Sequence, residues 1–179
     1  MFSRFSSMTL AALTLIGVAG FTTLATASDR VFFQSLEGLW SGPGEIVAGK
    51  YKGTKFVCNL QGDPESGSST GITMDGSCRV GVFSQKMSAV ISKRGNSYTG
   101  RFMDGAKGEG LDVVSGNVRK DSVVVGINRK KLNGAMIARL TNPQTMNVSI
   151  SVKVGDTMVP VIGMTLTRKS DRVITGSLR

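Results

Sequence analysis

The chain contains no histidine, the residue that most often serves as a general base or a zinc ligand in proteins. Its absence excludes Ser-His and Cys-His nucleophilic pairs and histidine-containing metal sites. Gly42-Pro43-Gly44 is followed by Val47 where a dinucleotide-binding motif requires its third glycine, and no lysine-containing phosphate loop occurs. A pair of carboxylates, as in glycosidases, remains compatible with the composition. We therefore expect a protein that is not an enzyme and that has neither a metal nor a cofactor.

Long apolar runs are also absent, except at the N-terminus. Arg4 precedes an apolar stretch from Met8 to Leu24, and Ala25-Thr26-Ala27 then provides the small residues of a signal-peptidase site. Residues 1–27 are thus predicted to be a cleaved signal peptide, and the protein is expected to be exported, to the periplasm or outside the cell. No later segment approaches the ~18 apolar residues of a transmembrane helix. An outer-membrane barrel is the alternative, and an aromatic content of only 6% disfavours it.

There are only two cysteines, Cys58 and Cys78. In an exported chain such a pair favours one structural disulfide. Both residues lie among alternating apolar residues, so both are predicted to point inward from neighbouring strands. Two registers are open: residues 62–70 could connect the strands, or Asp75-Gly76 could form the turn.

After residue 36 the sequence alternates between apolar and polar residues, separated by turn signals. In "TMNVSISVKV" every second residue from Met146 to Val154 is apolar, and the residues between are polar. This period of two is typical of a strand with one wet face. Gly155-Asp156 follows as a hairpin dipeptide. We expect nine or ten such strands.

This pattern predicts an all-β fold in which an antiparallel up-and-down meander closes into a barrel. Closure removes the exposed edges of a long sheet, and the 23 glycines allow the strands to bend. A β-sandwich is the competing fold. Residues 37–179 are predicted to form one barrel domain, preceded by a segment, 28–36, that forms a short helix or lid.

Trp40 is the only tryptophan, and it lies in the motif Gly38-Leu39-Trp40. Gly42 and Gly44 occupy the next positions on its face, which leaves room around the indole. On the last clearly predicted strand, every second side chain is predicted to point inward, and this alternation includes Arg168. An inward arginine needs a partner such as the face of an indole. This combination resembles the calycins, the lipocalin and fatty-acid-binding superfamily. The resemblance implies that Trp40 and Arg168 close one end of the barrel and that the barrel holds a cavity for an apolar or amphipathic ligand.

The chain is basic, with a formal net charge of +10. Such a charge attracts anions. Because the protein is expected to be exported, we expect no nucleic acid among its partners. Basic residues gather in predicted turns, and Lys93, Arg94, Arg129, Lys130 and Lys131 are candidates for an anion-binding surface. The sequence leaves open whether these turns lie at the same end of the barrel. Positive charge that only keeps a β-rich protein soluble is the competing interpretation.

Two functions follow from the sequence. The first is an exported, non-catalytic barrel that binds a small hydrophobic or lipid-like ligand in the cell envelope. The second is an envelope protein that uses its basic surface to bind an anionic glycan, lipid headgroups or a protein partner. A connected apolar cavity inside the barrel would favour the first function, and a filled core the second.

Overall fold

The computed structural model describes residues 23–103 and 110–170. These form one helix followed by ten strands: α1 (Thr23–Gln34), β1 (Gly38–Ile46), β2 (Lys55–Pro64), β3 (Gly71–Val80), β4 (Phe83–Arg94), β5 (Ser97–Met103), β6 (Leu111–Arg119), β7 (Ser122–Arg129), β8 (Leu132–Asn142), β9 (Thr145–Val154) and β10 (Thr157–Arg168).

Each strand pairs antiparallel with the next one in the chain, and β1 also pairs with β10, which closes a ten-stranded barrel. Closure satisfies the backbone groups that would otherwise lie at two sheet edges. The predicted all-β meander barrel is thus confirmed, and the alternative of a β-sandwich is wrong.

The apolar side chains that alternate along the strands form the core of the barrel. On β7, Val123, Val125 and Ile127 are buried, and on β9 Met146 and Ile150 are buried as well. The two residues Gly155 and Asp156 connect β9 to β10 as predicted, and Gly155 adopts the positive φ of 59° that such a turn favours.

The β2–β3 pair adopts the first of the two registers. Residues 65–70 connect the strands, and Asp75 and Gly76 lie inside β3, opposite Gln61 and Leu60. The proposed Asp75-Gly76 turn is therefore wrong. A Cβ atom at Gly76 would collide with the backbone carbonyl of Asn59, so this glycine allows two strands to approach closely.

Because successive strands run in opposite directions, the connections alternate between the two ends of the barrel. The closed end carries α1 and the connections 65–70, 95–96, 120–121 and 143–144. The open end carries the connections 47–54, 81–82, 130–131 and 155–156.

Helix α1 covers the closed end. Phe32, Phe33 and Leu36 are buried there, whereas Val31 is exposed. The helix begins at Thr23, inside the segment predicted to be cleaved. Residues 1–22 of the predicted signal peptide lie outside the described residues, as do residues 171–179 of the predicted barrel domain. Within the described part of the chain, no helix is long and apolar enough to span a membrane.

Candidate functional site: the two ends of the barrel and its cavity

Trp40 lies at the closed end and is completely buried. The guanidinium carbon of Arg168 lies 4.3 Å from the centroid of its ring, and the two residues are opposite each other in the β1–β10 register. The indole Nε1 donates a hydrogen bond of 2.8 Å to the carbonyl of Leu36, just after α1. The indole thus joins the end of the helix to the first strand.

Arg168 uses its remaining hydrogen-bond donors on backbone carbonyls. Its guanidinium donates to Glu37 and Ser35 on the segment after α1, and its Nε donates to Pro143 in the β8–β9 turn at 3.1 Å. The planar guanidinium can stack on an aromatic face and donate in its own plane at the same time, which an ammonium cannot do. Arg168 therefore holds the helix, β1 and the β8–β9 turn together.

A second polar contact fixes α1 to the barrel. Asp29 is buried, and its carboxylate accepts hydrogen bonds from the ammonium of Lys93 at 2.6 Å and from the hydroxyl of Tyr98 at 2.7 Å. Lys93 therefore holds the helix in place and is not part of an open anion-binding surface. Burial, and secondarily the hydrogen bond and negative charge of Asp29, raises the pKa of the Tyr98 phenol well above its ordinary value.

Because of this contact, we expect the folded protein to lose stability at alkaline pH. Because the pKa of Tyr98 is higher in the folded protein than in the unfolded chain, its stabilising contribution is fully present below the unfolded pKa of about 10. The contribution is lost as the pH rises from there through the pKa of the folded state. We expect the midpoint of urea unfolding to fall more steeply above about pH 10 in the wild type than in Tyr98→Phe.

The Tyr98→Phe variant removes only the phenolic hydroxyl and keeps both partners of the Lys93–Asp29 ion pair. Parallel pH profiles for the two proteins would show that the phenol has no part in the alkaline loss of stability.

The open end contains an apolar cavity, the outer cavity, with a volume of about 290 Å³. All ten strands contribute residues to its wall, with Phe56, Phe102 and Leu132 among the apolar residues. Gln85 and Arg129 are the polar and charged side chains that line it.

A smaller space of about 70 Å³, the inner cavity, lies between the outer cavity and the closed end. Its lining is apolar and includes Phe33 and Leu36 from the α1 end. Phe102 and Met164 line both cavities, so these two side chains lie at the boundary between them.

The predicted basic surface does not exist as one surface. Lys93 and Arg94 end β4 at the closed end, whereas Arg129, Lys130 and Lys131 lie at the open end. The strand parity places the β4–β5 and β7–β8 turns on opposite ends, so the two groups of basic residues, whose convergence the sequence left open, do not meet. Only the group around residues 129–131 lies near the cavity.

Cys58 and Cys78 are joined by a disulfide and are directly opposite each other in the β2–β3 register. Cys58 is completely buried, and Cys78 lines the outer cavity. The bond is therefore part of the cavity wall. Within residues 23–103 and 110–170, no group of three or more acidic or cysteine residues could hold a metal ion.

The roles of Asp29, Phe102 and Arg129 were not predicted from the sequence. An acid among the apolar residues of a helix, as in "SDRVFFQ", could have indicated a buried partner. Arg129 was assigned to a surface turn, although the parity of Val123, Val125 and Ile127 continues to it. No signal in the sequence distinguished Phe102 from an ordinary core residue.

No protein-family model matches the sequence, and no curated protein is detectably similar to it. Among solved structures, the crystal structure of Rv2717c from M. tuberculosis is similar, with a TM-score of 0.55 and 12% sequence identity. The match covers 76% of this chain and 94% of that chain. At this level of identity, the likeness shows a shared fold and nothing about ligands or activity.

Proposed function

We propose that the protein is an exported, non-catalytic, calycin-like barrel that binds a small hydrophobic or lipid-like ligand in the cell envelope. The observation that carries the proposal is the outer cavity, an apolar space that opens at one end of a barrel whose other end is closed. The stacking of Arg168 on Trp40 supports the calycin-like part of the proposal. A disulfide is consistent with an oxidising compartment outside the cytoplasm.

The size of the cavity limits the ligand. At about 290 Å³ the outer cavity lies at the lower limit of the ~300–1,000 Å³ that is usual for ligand sites. A compact apolar molecule, or one chain of an amphiphile, fits such a volume. Gln85 and Arg129 would receive the polar end of an amphiphile, because they are the polar and charged side chains that line the cavity.

The side chains at the boundary between the outer and inner cavities allow the site to adapt to ligands of different length. Met164 lines both cavities and has a flexible, polarizable side chain, so we propose that a change of its rotamer connects the outer and inner cavities. A longer apolar chain could then extend towards the closed end, where Phe33 and Leu36 limit its length.

Filling part of the outer cavity is expected to weaken ligand binding. Val152 lines the cavity, and Val152→Phe would place an aromatic ring where the ligand lies. We expect the affinity for the uncharged dye N-phenyl-1-naphthylamine, measured by fluorescence titration, to fall by about tenfold, corresponding to ~1.4 kcal/mol.

Val124→Phe is the matched control, because Val124 faces outward and is 38% exposed. Its dye affinity should equal that of the wild type. A wild-type protein that does not bind the dye, or equal affinities for the two variants, would contradict the cavity as the binding site. Native mass spectrometry of protein purified from its own envelope would then identify any natural ligand.

A further inference from the structure

The open end carries exposed apolar side chains that no part of the described structure covers. The most exposed lie at the tip of the β3–β4 hairpin, residues 80–83, where Val82 is 90% and Phe83 is 78% exposed. Most of the surface of these two side chains is not buried in the folded chain, and adjacent exposed apolar side chains of this size indicate contact with an apolar phase or partner. Val80 is partly exposed in the same tip and also lines the outer cavity.

Other connections extend the apolar surface around the opening. Tyr51 in the β1–β2 loop is 64% exposed, and Val154 beside the β9–β10 turn is 59% exposed. Both belong to the open end, as does the hairpin tip. We call the exposed apolar residues 51, 82, 83 and 154 the apolar rim.

Basic side chains accompany the apolar rim. Lys50 and Lys52 flank Tyr51 and are exposed, and the ammonium of Lys50 lies 5.5 Å from the centroid of the Tyr51 ring. Lys131 is exposed in the β7–β8 turn at the same end. A surface with apolar tips and surrounding lysines complements an anionic bilayer, in which phosphate groups overlie acyl chains.

The acidic residues described at this end do not cancel that charge. Asp156 lies 4.0 Å from the ammonium of Lys153, and Asp112 lies 3.5 Å from the guanidinium of Arg101. Glu45 lies opposite Lys55 in the β1–β2 register. Each acid therefore has a basic neighbour, while Lys50, Lys52 and Lys131 add positive charge around the opening.

We propose that the open end docks on anionic phospholipid membranes, with Val82 and Phe83 inserted below the headgroups and the surrounding lysines on the lipid phosphates. The interaction concerns the outside of the barrel and does not require an occupied cavity, so it goes beyond the ligand binding proposed above. It would place the opening of the outer cavity against the bilayer, from which an apolar ligand could enter without crossing water.

Phe83→Trp tests insertion directly. Trp40 is completely buried at the opposite end and should contribute an unchanged background. With vesicles of phosphatidylcholine and phosphatidylglycerol, we expect the emission of the introduced indole to shift to shorter wavelength and to be quenched by bromine-labelled lipid. Val31→Trp, at an exposed position of α1 on the closed end, should show neither change.

Vesicle co-sedimentation of the full chain tests the apolar and the electrostatic contributions to membrane binding separately. The double variant Val82→Ser/Phe83→Ser is expected to bind anionic vesicles about tenfold more weakly, because the inserted apolar area is lost. Lys50→Glu/Lys52→Glu should weaken binding by about tenfold or more, and raising the salt from about 0.05 M to about 0.5 M should weaken wild-type binding. Arg94→Glu/Lys120→Glu, at the closed end, is the matched charge control and should bind at nearly the wild-type level.

Three results would overturn the proposal: no binding to anionic vesicles, equal binding to pure phosphatidylcholine, or binding without a spectral change in Phe83→Trp. Self-association that Val82→Ser/Phe83→Ser abolishes, without vesicle binding, would assign the rim to a second copy of the chain instead. Dye binding in the outer cavity is measured without membranes, so a failure of docking is distinguishable from a failure of the proposed function.

Discussion

Trp40→Ala is expected to lower the free energy of unfolding by about 3–5 kcal/mol, the usual cost of truncating a large buried aromatic side chain. The indole is completely buried, donates to the carbonyl of Leu36 and lies under the guanidinium of Arg168. Its removal leaves a cavity and also releases the end of α1 from the barrel. Urea unfolding should be followed by circular dichroism, because the variant contains no tryptophan.

Leu39→Ala is the appropriate control, since the adjacent side chain is 45% exposed. Leu39→Ala should lower the free energy of unfolding much less than Trp40→Ala does. If the two variants were equally stable, Trp40 would not be the residue that closes the barrel.

Arg168→Ala should destabilise the fold less than Trp40→Ala, with the stacking itself contributing ~2 kcal/mol where it is desolvated. A double-mutant cycle should show coupling between the two residues, because they are in direct contact. Arg168→Lys should recover only part of the loss, since an ammonium cannot stack on the indole and also donate to the carbonyls of Glu37 and Pro143. Additive effects would show that each residue packs independently of the other.

The fold could be predicted because its determinants are local. Strict alternation on β9 and the Gly155-Asp156 turn specify strands and a hairpin from neighbouring residues alone. The inward parity that runs from Ile162 to Arg168 also placed the arginine correctly opposite Trp40.

The function of the glycines could not be predicted, because it depends on neighbours from other strands. Gly44 was expected to leave space for the indole, yet a Cβ atom there would collide with the ring of Phe56. Likewise, a Cβ atom at Gly42 would collide with the backbone carbonyl of Thr165 on β10. These glycines allow β1 to pack closely at the point where the barrel closes.

The candidate site was predictable only in part. Parity shows which side chains point inward, but whether they fill the interior depends on barrel diameter and strand tilt. The sequence therefore left a filled core and a cavity equally open. The sequence left the convergence of the basic turns open for a similar reason, because one strand more or less between two turns moves a cluster of basic residues to the other end of the barrel.

Replacing both cysteines, in Cys58→Ala/Cys78→Ala, is expected to lower the free energy of unfolding by about 3 kcal/mol on the chain-entropy model. The bond joins residues separated by 20 positions, and without it the unfolded chain gains the freedom of that loop. Urea unfolding of the double variant and the wild type, with both proteins kept free of reductant, measures the difference. Mass spectrometry of the non-reduced wild type should find no free thiol, and two free thiols would contradict the pairing.

The position of the bond separates its effect on stability from its effect on the cavity. Cys78 lines the outer cavity, so loss of the bond should also weaken dye binding, even at temperatures where the double variant remains fully folded. Tyr98→Phe is the matched comparison, because Tyr98 lies at the closed end, away from the outer cavity. A double variant with lower stability but wild-type dye affinity would mean that the β2–β3 pairing alone maintains that part of the cavity wall. Weakened binding in the folded variant would assign the disulfide a second role, in which it holds β3 in position beside the opening through which the ligand enters.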